Sequence, residues 1–146
     1  MKLIILLFIS FLSPPAIWSG NFNETAKAAK ASNKLILINF SGSDWCGPCI
    51  RLKNEIFVSE VFEKFASEKL LLVKADFPRQ KKNKLPEAQV KLNETLAERY
   101  NKDGKFPFTL LVNSEGKILK TWDGLPKENA VQFVQQLEAL NQKKIR

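Results

Sequence analysis

The chain reads Leu-Ile-Leu-Ile-Asn-Phe over residues 35–40 and continues as Ser-Gly-Ser-Asp-Trp-Cys-Gly-Pro-Cys over residues 41–49. The first run is short and almost entirely apolar, which is typical of a strand buried on both faces. Cys46 then begins a helix, in which Pro48 is tolerated because the first helical turn does not need its N–H. These residues predict an α/β fold with two cysteines at the start of a helix.

Cys46 and Cys49 are the two cysteines of the sequence. Two thiols at this spacing can close a small disulfide ring and open it again. A thiolate at a helix N-terminus is stabilised by free backbone N–H groups and by the helix dipole, so we expect Cys46 to be the exposed attacking thiol with a lowered pKa. Cys49, one turn deeper, is then the resolving thiol. The pair predicts dithiol–disulfide exchange.

The sequence lacks the additional ligands that other functions of a Cys-x-x-Cys pair require. A structural zinc site needs four ligands, and the sequence has no histidine and no further cysteine. Ile50 stands where a c-type haem attachment needs histidine, and a thiolate copper carrier finds only Met1 and carboxylates as additional ligands. A purely structural disulfide is the remaining alternative, but so short a loop stabilises little. We therefore expect no metal and no other cofactor.

The run from Trp45 to Cys49 resembles the active site of thioredoxin, and the likeness extends over residues 33–142. Phe106-Pro107 with the strand-like residues 108–112 resembles the cis-proline strand of that family. Asp44 and the long, broken helix after Cys49 resemble the branch of exported thioredoxin-like proteins and soluble domains of periplasmic thiol–disulfide interchange proteins. The resemblance implies a thioredoxin-like fold.

The resemblance also implies roles for the neighbours of the cysteines. Trp45 would flank and shield the attacking thiol, Gly47 would let a substrate backbone approach, and Pro48 would stiffen the turn. Pro107, after a cis peptide bond, would lie beside the disulfide and hold a substrate strand by backbone hydrogen bonds.

One position departs from the family. The buried aspartate that precedes the motif falls on Asn39, which cannot accept a proton from Cys49 at neutral pH. Lys74 matches the lysine that faces this aspartate and would lack its partner. The role of base passes to Asp44, to a water molecule or to nothing.

The remaining pattern predicts a central mixed sheet of about four strands flanked by helices. The predicted strands are 35–40, 70–75, 108–112 and 117–122, and the predicted helices are 23–32, 46–57, 60–67, 86–100 and 127–141. Asn23 and Ser59 are the predicted N-caps of the first and third helices. Val61 and Val131 are among the side chains expected to face the core.

The N-terminus has the pattern of a secretory signal peptide. Met1-Lys2 gives a positive start, residues 3–12 are apolar apart from Ser10, and residues 13–20 are mostly small. We therefore predict a signal peptide over residues 1–20 and one thioredoxin-like domain over residues 21–146, exported to a periplasm or secreted. An uncleaved membrane anchor is the alternative.

The formal net charge of +8 is concentrated in Arg79, Lys81, Lys82 and Lys84 and at the C-terminal tail. These runs lack interleaved aromatic residues and nucleic-acid motifs, so we do not expect the protein to bind nucleic acid. An acidic protein or a membrane surface is the more plausible binding partner for these cations.

The sequence as a whole predicts an exported thiol–disulfide oxidoreductase, a monomer that reduces disulfides of partner proteins. A thiol donor, which could be membrane-borne, would recharge it. The alternative function is a non-catalytic thioredoxin-like module that binds proteins.

Overall fold

The computed structural model describes residues 14–144, in which strands and helices alternate around one sheet. The strands are β1 (Trp18–Ser19), β2 (Leu35–Ser41), β3 (Leu70–Asp76), β4 (Phe108–Val112) and β5 (Ile118–Asp123). The α-helices are α1 (Phe22–Ser32), α2 (Gly47–Leu52), α3 (Glu60–Lys69), α4 (Glu87–Tyr100) and α5 (Ala130–Lys144). A π-helical turn, Lys53–Phe57, follows α2, and a short 3-10 turn, Lys81–Asn83, precedes α4.

The five strands form one mixed sheet in the order β1-β3-β2-β4-β5. β2 lies at its centre, parallel to β3 and antiparallel to β4, and every residue of β2 is buried. The continuous apolar run of β2 matches this position, because both of its faces pack against the core. The predicted α/β, thioredoxin-like sheet flanked by helices is confirmed, with five strands where about four were expected.

The additional strand is β1, which pairs in parallel with β3 at the edge of the sheet. The Trp18 ring lies 5.0 Å from the Phe57 ring and 6.4 Å from the Phe62 ring, measured between centroids. β1 therefore places folded structure ahead of residue 21, the predicted start of the domain, and Trp18 packs against the core. The boundary at residue 21 stays a prediction.

Helices cover both faces of the sheet. On one face Leu37 of β2 packs in a cluster with Phe62 of α3 and Phe133 of α5. On the other face Ile38 packs with Phe22 of α1 and Leu96 of α4. These two apolar layers fix the orientation of β2 and thus of the loop that follows it.

Several local predictions need correction. The N-cap of α1 is Asn21 and not Asn23, because the Asn21 side chain accepts the Glu24 N–H. Val61 and Val131 are 36% and 52% exposed. The core positions of these two helices are occupied by the larger rings of Phe62 and Phe133. Ser59 does cap α3, as predicted, and accepts the Phe62 N–H.

The predicted signal peptide falls mainly on residues 1–13, which lie outside the described residues. None of the helices within residues 14–144 combines the length and the apolar character that crossing a membrane requires.

Candidate active site

The two cysteines lie where β2 passes into α2, at the carboxyl end of the central strand. Cys46 is the N-cap of α2, and Cys49 lies in its first turn. They form a disulfide with Cα atoms 5.2 Å apart. In this form Cys46 is 5% exposed and Cys49 4% exposed, so the expectation that Cys46 is the exposed sulfur is wrong for the oxidised state.

Each sulfur receives a backbone hydrogen bond. The Cys49 N–H donates to Cys46 Sγ over 3.2 Å, and the Gly42 N–H donates to Cys49 Sγ over 3.5 Å. Donors at a helix N-terminus favour a charged acceptor, so the first contact would stabilise a Cys46 thiolate after reduction. The helix start that the sequence predicted thus supplies a donor for the predicted nucleophile.

Trp45 joins three segments of the site. Its indole N–H donates to the Phe77 carbonyl over 2.8 Å, and its ring lies 5.5 Å from the Phe106 ring in an edge-to-face arrangement. The Arg79 guanidinium lies over the Trp45 ring, with its central carbon 3.7 Å from the ring centroid. The loop before the disulfide is therefore fixed to the segment after β3 and to the segment before β4.

The Phe106–Pro107 peptide bond is cis, as the resemblance implied. Pro107 is buried, and its carbonyl accepts the Gly124 N–H over 2.9 Å. The next residue, Phe108, pairs with Phe40 at the end of β2 that leads to the cysteines. Pro107 is thus placed at the same end of the sheet as the disulfide.

Gly47 and Pro48 form an exposed surface between the two cysteines. A methyl group added at Gly47 would meet no atom within 4 Å other than those of its chain neighbours and its own helix backbone, so the surface above this residue is open. A partner backbone can approach Gly47 closely.

Asp44 holds the segment after β3. Its carboxylate accepts the Arg79 N–H at 2.9 Å, the Gln80 N–H at 3.0 Å and the Asn83 amide at 2.9 Å. The Arg79 N–H, followed by the Asn83 amide, holds the pKa of Asp44 below its ordinary value. Asp44 does not line the pocket beside Cys49, and its carboxylate is engaged by these three donors, which does not favour Asp44 as the base for Cys49.

Replacing Asp44 by asparagine is expected to lower the thermal midpoint at pH 7, because an amide cannot accept all three donors. A carboxyl whose pKa is depressed by folding stabilises the protein above its unfolded pKa, and this stabilisation is lost as the pH falls through the folded pKa. The difference in midpoint between Asp44→Asn and the wild type should therefore shrink between pH 5 and pH 3. The exposed Asp103, changed to asparagine, is the control. An equal difference at both pH values would contradict this role of Asp44.

A pocket of about 420 Å³ lies behind Cys49. Asn39, Lys74 and Glu63 line it together with this cysteine. Asn39 pairs in register with Lys74 of β3 and with Thr109 of β4, and its amide donates to the Thr109 hydroxyl over 3.0 Å. Lys74 thus faces the neutral Asn39, as the resemblance implied, while Glu63 brings a carboxylate to the same pocket.

Asp76, the last residue of β3, was not among the predicted site residues. Its two carboxylate oxygens accept the N–H of Ser43 at 2.9 Å and the hydroxyl of Ser43 at 2.6 Å. Its position could have been predicted from the sequence, because parallel strands joined by a crossover end at the same edge of a sheet. An aspartate directly after the second buried strand could have been placed beside the loop that follows the first.

Comparison with known proteins agrees with this geometry. The model of the thioredoxin-like domain family matches residues 22–141. The chain is 37% identical over 99 residues, 68% of its length, to the disulfide bond reductase DsbH of Chlamydia pneumoniae, and the match covers 58% of that protein. It is 31% identical over 65 residues, 44% of its length, to the thioredoxin-related protein DsbJ of the same organism, covering 19% of that relative. The chain thus spans less than two thirds of either relative.

A solved structure of a DsbH oxidoreductase superimposes with a TM-score of 0.81 at 27% identity. The superposition covers 97% of this chain and 95% of the other. Fold, disulfide position and sequence similarity lead to the same assignment. The chain belongs to the thioredoxin-like domain family.

Proposed function

We propose that this protein reduces disulfides of partner proteins with the Cys46–Cys49 dithiol. The observation that supports the proposal most strongly is the pair itself, closed as a disulfide at the start of α2, with a backbone N–H on each sulfur. A purely structural bridge would not need the attacking sulfur at the helix N-terminus, where a thiolate is stabilised.

The proposed reaction consists of two exchanges. The Cys46 thiolate attacks one sulfur of the partner disulfide, forms a mixed disulfide and releases the other partner sulfur as a thiolate. The Cys49 thiolate then attacks Cys46 Sγ, which closes the intramolecular disulfide and releases the second partner thiol. Two electrons pass to the partner, and a thiol donor must return two electrons to Cys46 and Cys49.

The neighbours of the pair act as positioning residues in this proposal. Trp45 shields the sulfur, Gly47 and Pro48 give an open and stiff turn, and Pro107 holds the substrate strand. Lys74 lies in the pocket behind Cys49, where its charge can act on the resolving thiolate.

The direction of electron flow is proposed as reduction. Gly47 and Pro48 offer no charged side chain to stabilise the dithiol form strongly, which a strong oxidant requires. The relative DsbH is named a disulfide bond reductase, which supports the same direction. We also propose that the protein is exported, that it acts as a monomer, and that its export signal lies upstream of the Trp18 strand.

The proposal is tested by insulin reduction and by equilibration with glutathione. In the presence of dithiothreitol, the protein should accelerate the precipitation of reduced insulin chains. Its reduction potential should be more negative than about −180 mV, the value of an isomerase. A more positive potential would indicate an oxidase or isomerase, and no acceleration would refute the activity.

A further inference from the structure

The segment between β3 and α4 combines positive charge with an apolar recess. Residues 79–84, here the basic segment, contain Arg79, Lys81, Lys82 and Lys84 and no carboxylate. Beside this segment lies a pocket of about 260 Å³, whose lining includes Phe77, Pro78, Leu85 and Val90. The basic Arg79, Lys81 and Lys84 side chains line the same pocket. An apolar recess edged by cations matches an apolar side chain flanked by acidic residues.

The cations of the basic segment are available to a partner. Among residues 14–144 the ion pairs are Arg51–Glu55 and Lys105–Asp123, and neither includes a residue of this segment. The nearby Asp44 binds the segment through backbone N–H groups and the Asn83 amide. Asp76 binds Ser43. Both carboxylates are therefore already engaged by hydrogen-bond donors rather than by the lysine ammonium groups.

The pocket is connected to the loop before the disulfide through Arg79 and Trp45. Arg79 lines the pocket and stacks on Trp45 at 3.7 Å, and Trp45 directly precedes Cys46. The hydrogen bonds of Asp44 fix the basic segment to the same loop. A protein that presents a disulfide to Cys46 would therefore also contact the basic segment and its pocket.

We propose that the pocket and the basic segment dock an acidic segment of the redox partner, with one apolar side chain of that segment in the pocket. This inference rests on the proposed function, since it specifies the partner of the same disulfide. Lys81, Lys82 and Lys84 attract the acidic side chains and raise the rate of encounter. A membrane surface fits less well, because the apolar groups here line a recess and do not project outward.

Binding is measured first with a peptide that cannot react. The probe is a fluorescent, cysteine-free peptide with one leucine between four glutamates, titrated with the oxidised protein in low salt. The triple variant Lys81→Glu, Lys82→Glu, Lys84→Glu should bind it at least about tenfold more weakly. The control Lys27→Glu, Lys30→Glu, Lys69→Glu makes the same charge change at exposed positions remote from the disulfide and should bind nearly as the wild type does. Equal weakening in both triple variants would overturn the proposal.

The contribution of the apolar pocket is tested with a second peptide. Replacing the leucine of the peptide by serine should weaken binding to the wild type by about fivefold or more, because the peptide then loses the apolar side chain that the pocket buries. An unchanged affinity would show that charge alone attracts the peptide and would refute the pocket as its docking site.

Exchange is measured separately, which distinguishes this proposal from the proposed function. Reduced protein is mixed with disulfide-looped peptides that carry four glutamates or four lysines, and oxidation is followed by alkylation and mass spectrometry. The acidic peptide should react about tenfold faster, with a difference that declines as salt is added. Equal rates would overturn the docking proposal, while specific binding without exchange would refute only the proposed function. Sedimentation of the protein with phosphatidylserine vesicles, lost in the first triple variant, together with no peptide binding, would assign the surface to membranes instead.

Discussion

Replacement of Cys46 by serine is expected to abolish insulin reduction down to the rate of dithiothreitol alone. A serine hydroxyl is not ionised at neutral pH, and thiol–disulfide exchange requires a thiolate. The remaining thiol, Cys49, lies in the first turn of α2 and not at its N-cap, the position of Cys46. The measurement is the insulin turbidity assay with equal amounts of folded wild type and variant.

Cys49→Ser is the matched variant, because it leaves the first exchange intact and removes the second. It should accumulate a covalent complex with its substrate, visible on a non-reducing gel and released by excess thiol. The two cysteines are almost equally buried in the disulfide, so burial does not decide which sulfur attacks. Adducts in Cys46→Ser and none in Cys49→Ser would reverse the assigned roles.

Removal of the Trp18 side chain is expected to cause a large loss of stability. Trp18→Ala removes an indole that packs on Phe57 and Phe62, which should cost roughly 3 kcal/mol in the free energy of unfolding. A chain that starts at residue 21 should lose at least as much, since it also lacks the pairing of β1 with β3. Urea denaturation of the variants, compared with a chain that starts at residue 14, provides the measurement.

The neighbouring Ile17 supplies the control for Trp18. Its side chain is 81% exposed, so Ile17→Ala should change the free energy of unfolding by less than about 0.5 kcal/mol. If the chain that starts at residue 21 is as stable as the longer one, β1 is dispensable and the predicted boundary at residue 21 stands.

The sequence predicted the elements whose signals are local. The nearly continuous apolar run of β2 indicated a buried strand or helix segment, and the loop residues Gly42 and Ser43 limited its length. Ser59 was identifiable as an N-cap because its side chain needs only the N–H three residues ahead. The helix start at Cys46 was predictable because the first helical turn does not need the N–H that Pro48 lacks.

The remaining features depend on contacts between distant parts of the chain. β1 has two residues, and its pairing with β3 is formed by strands more than fifty positions apart, so no local pattern marks it. The Asp44 carboxylate binds residues 35 to 39 positions later, which a motif read along the chain does not show. Val61 lies next to Phe62 in sequence, and only the packed structure decides which of the two enters the core.

The single disulfide takes up both cysteines of the sequence, and this has a consequence for steady-state kinetics. With no third thiol in the chain, electrons cannot be stored at a second site or relayed within it. In the proposed cycle, the donor and the substrate must therefore use the same sulfur pair in turn and cannot occupy it together. Double-reciprocal plots at several donor concentrations should then be parallel lines, the pattern of a ping-pong enzyme.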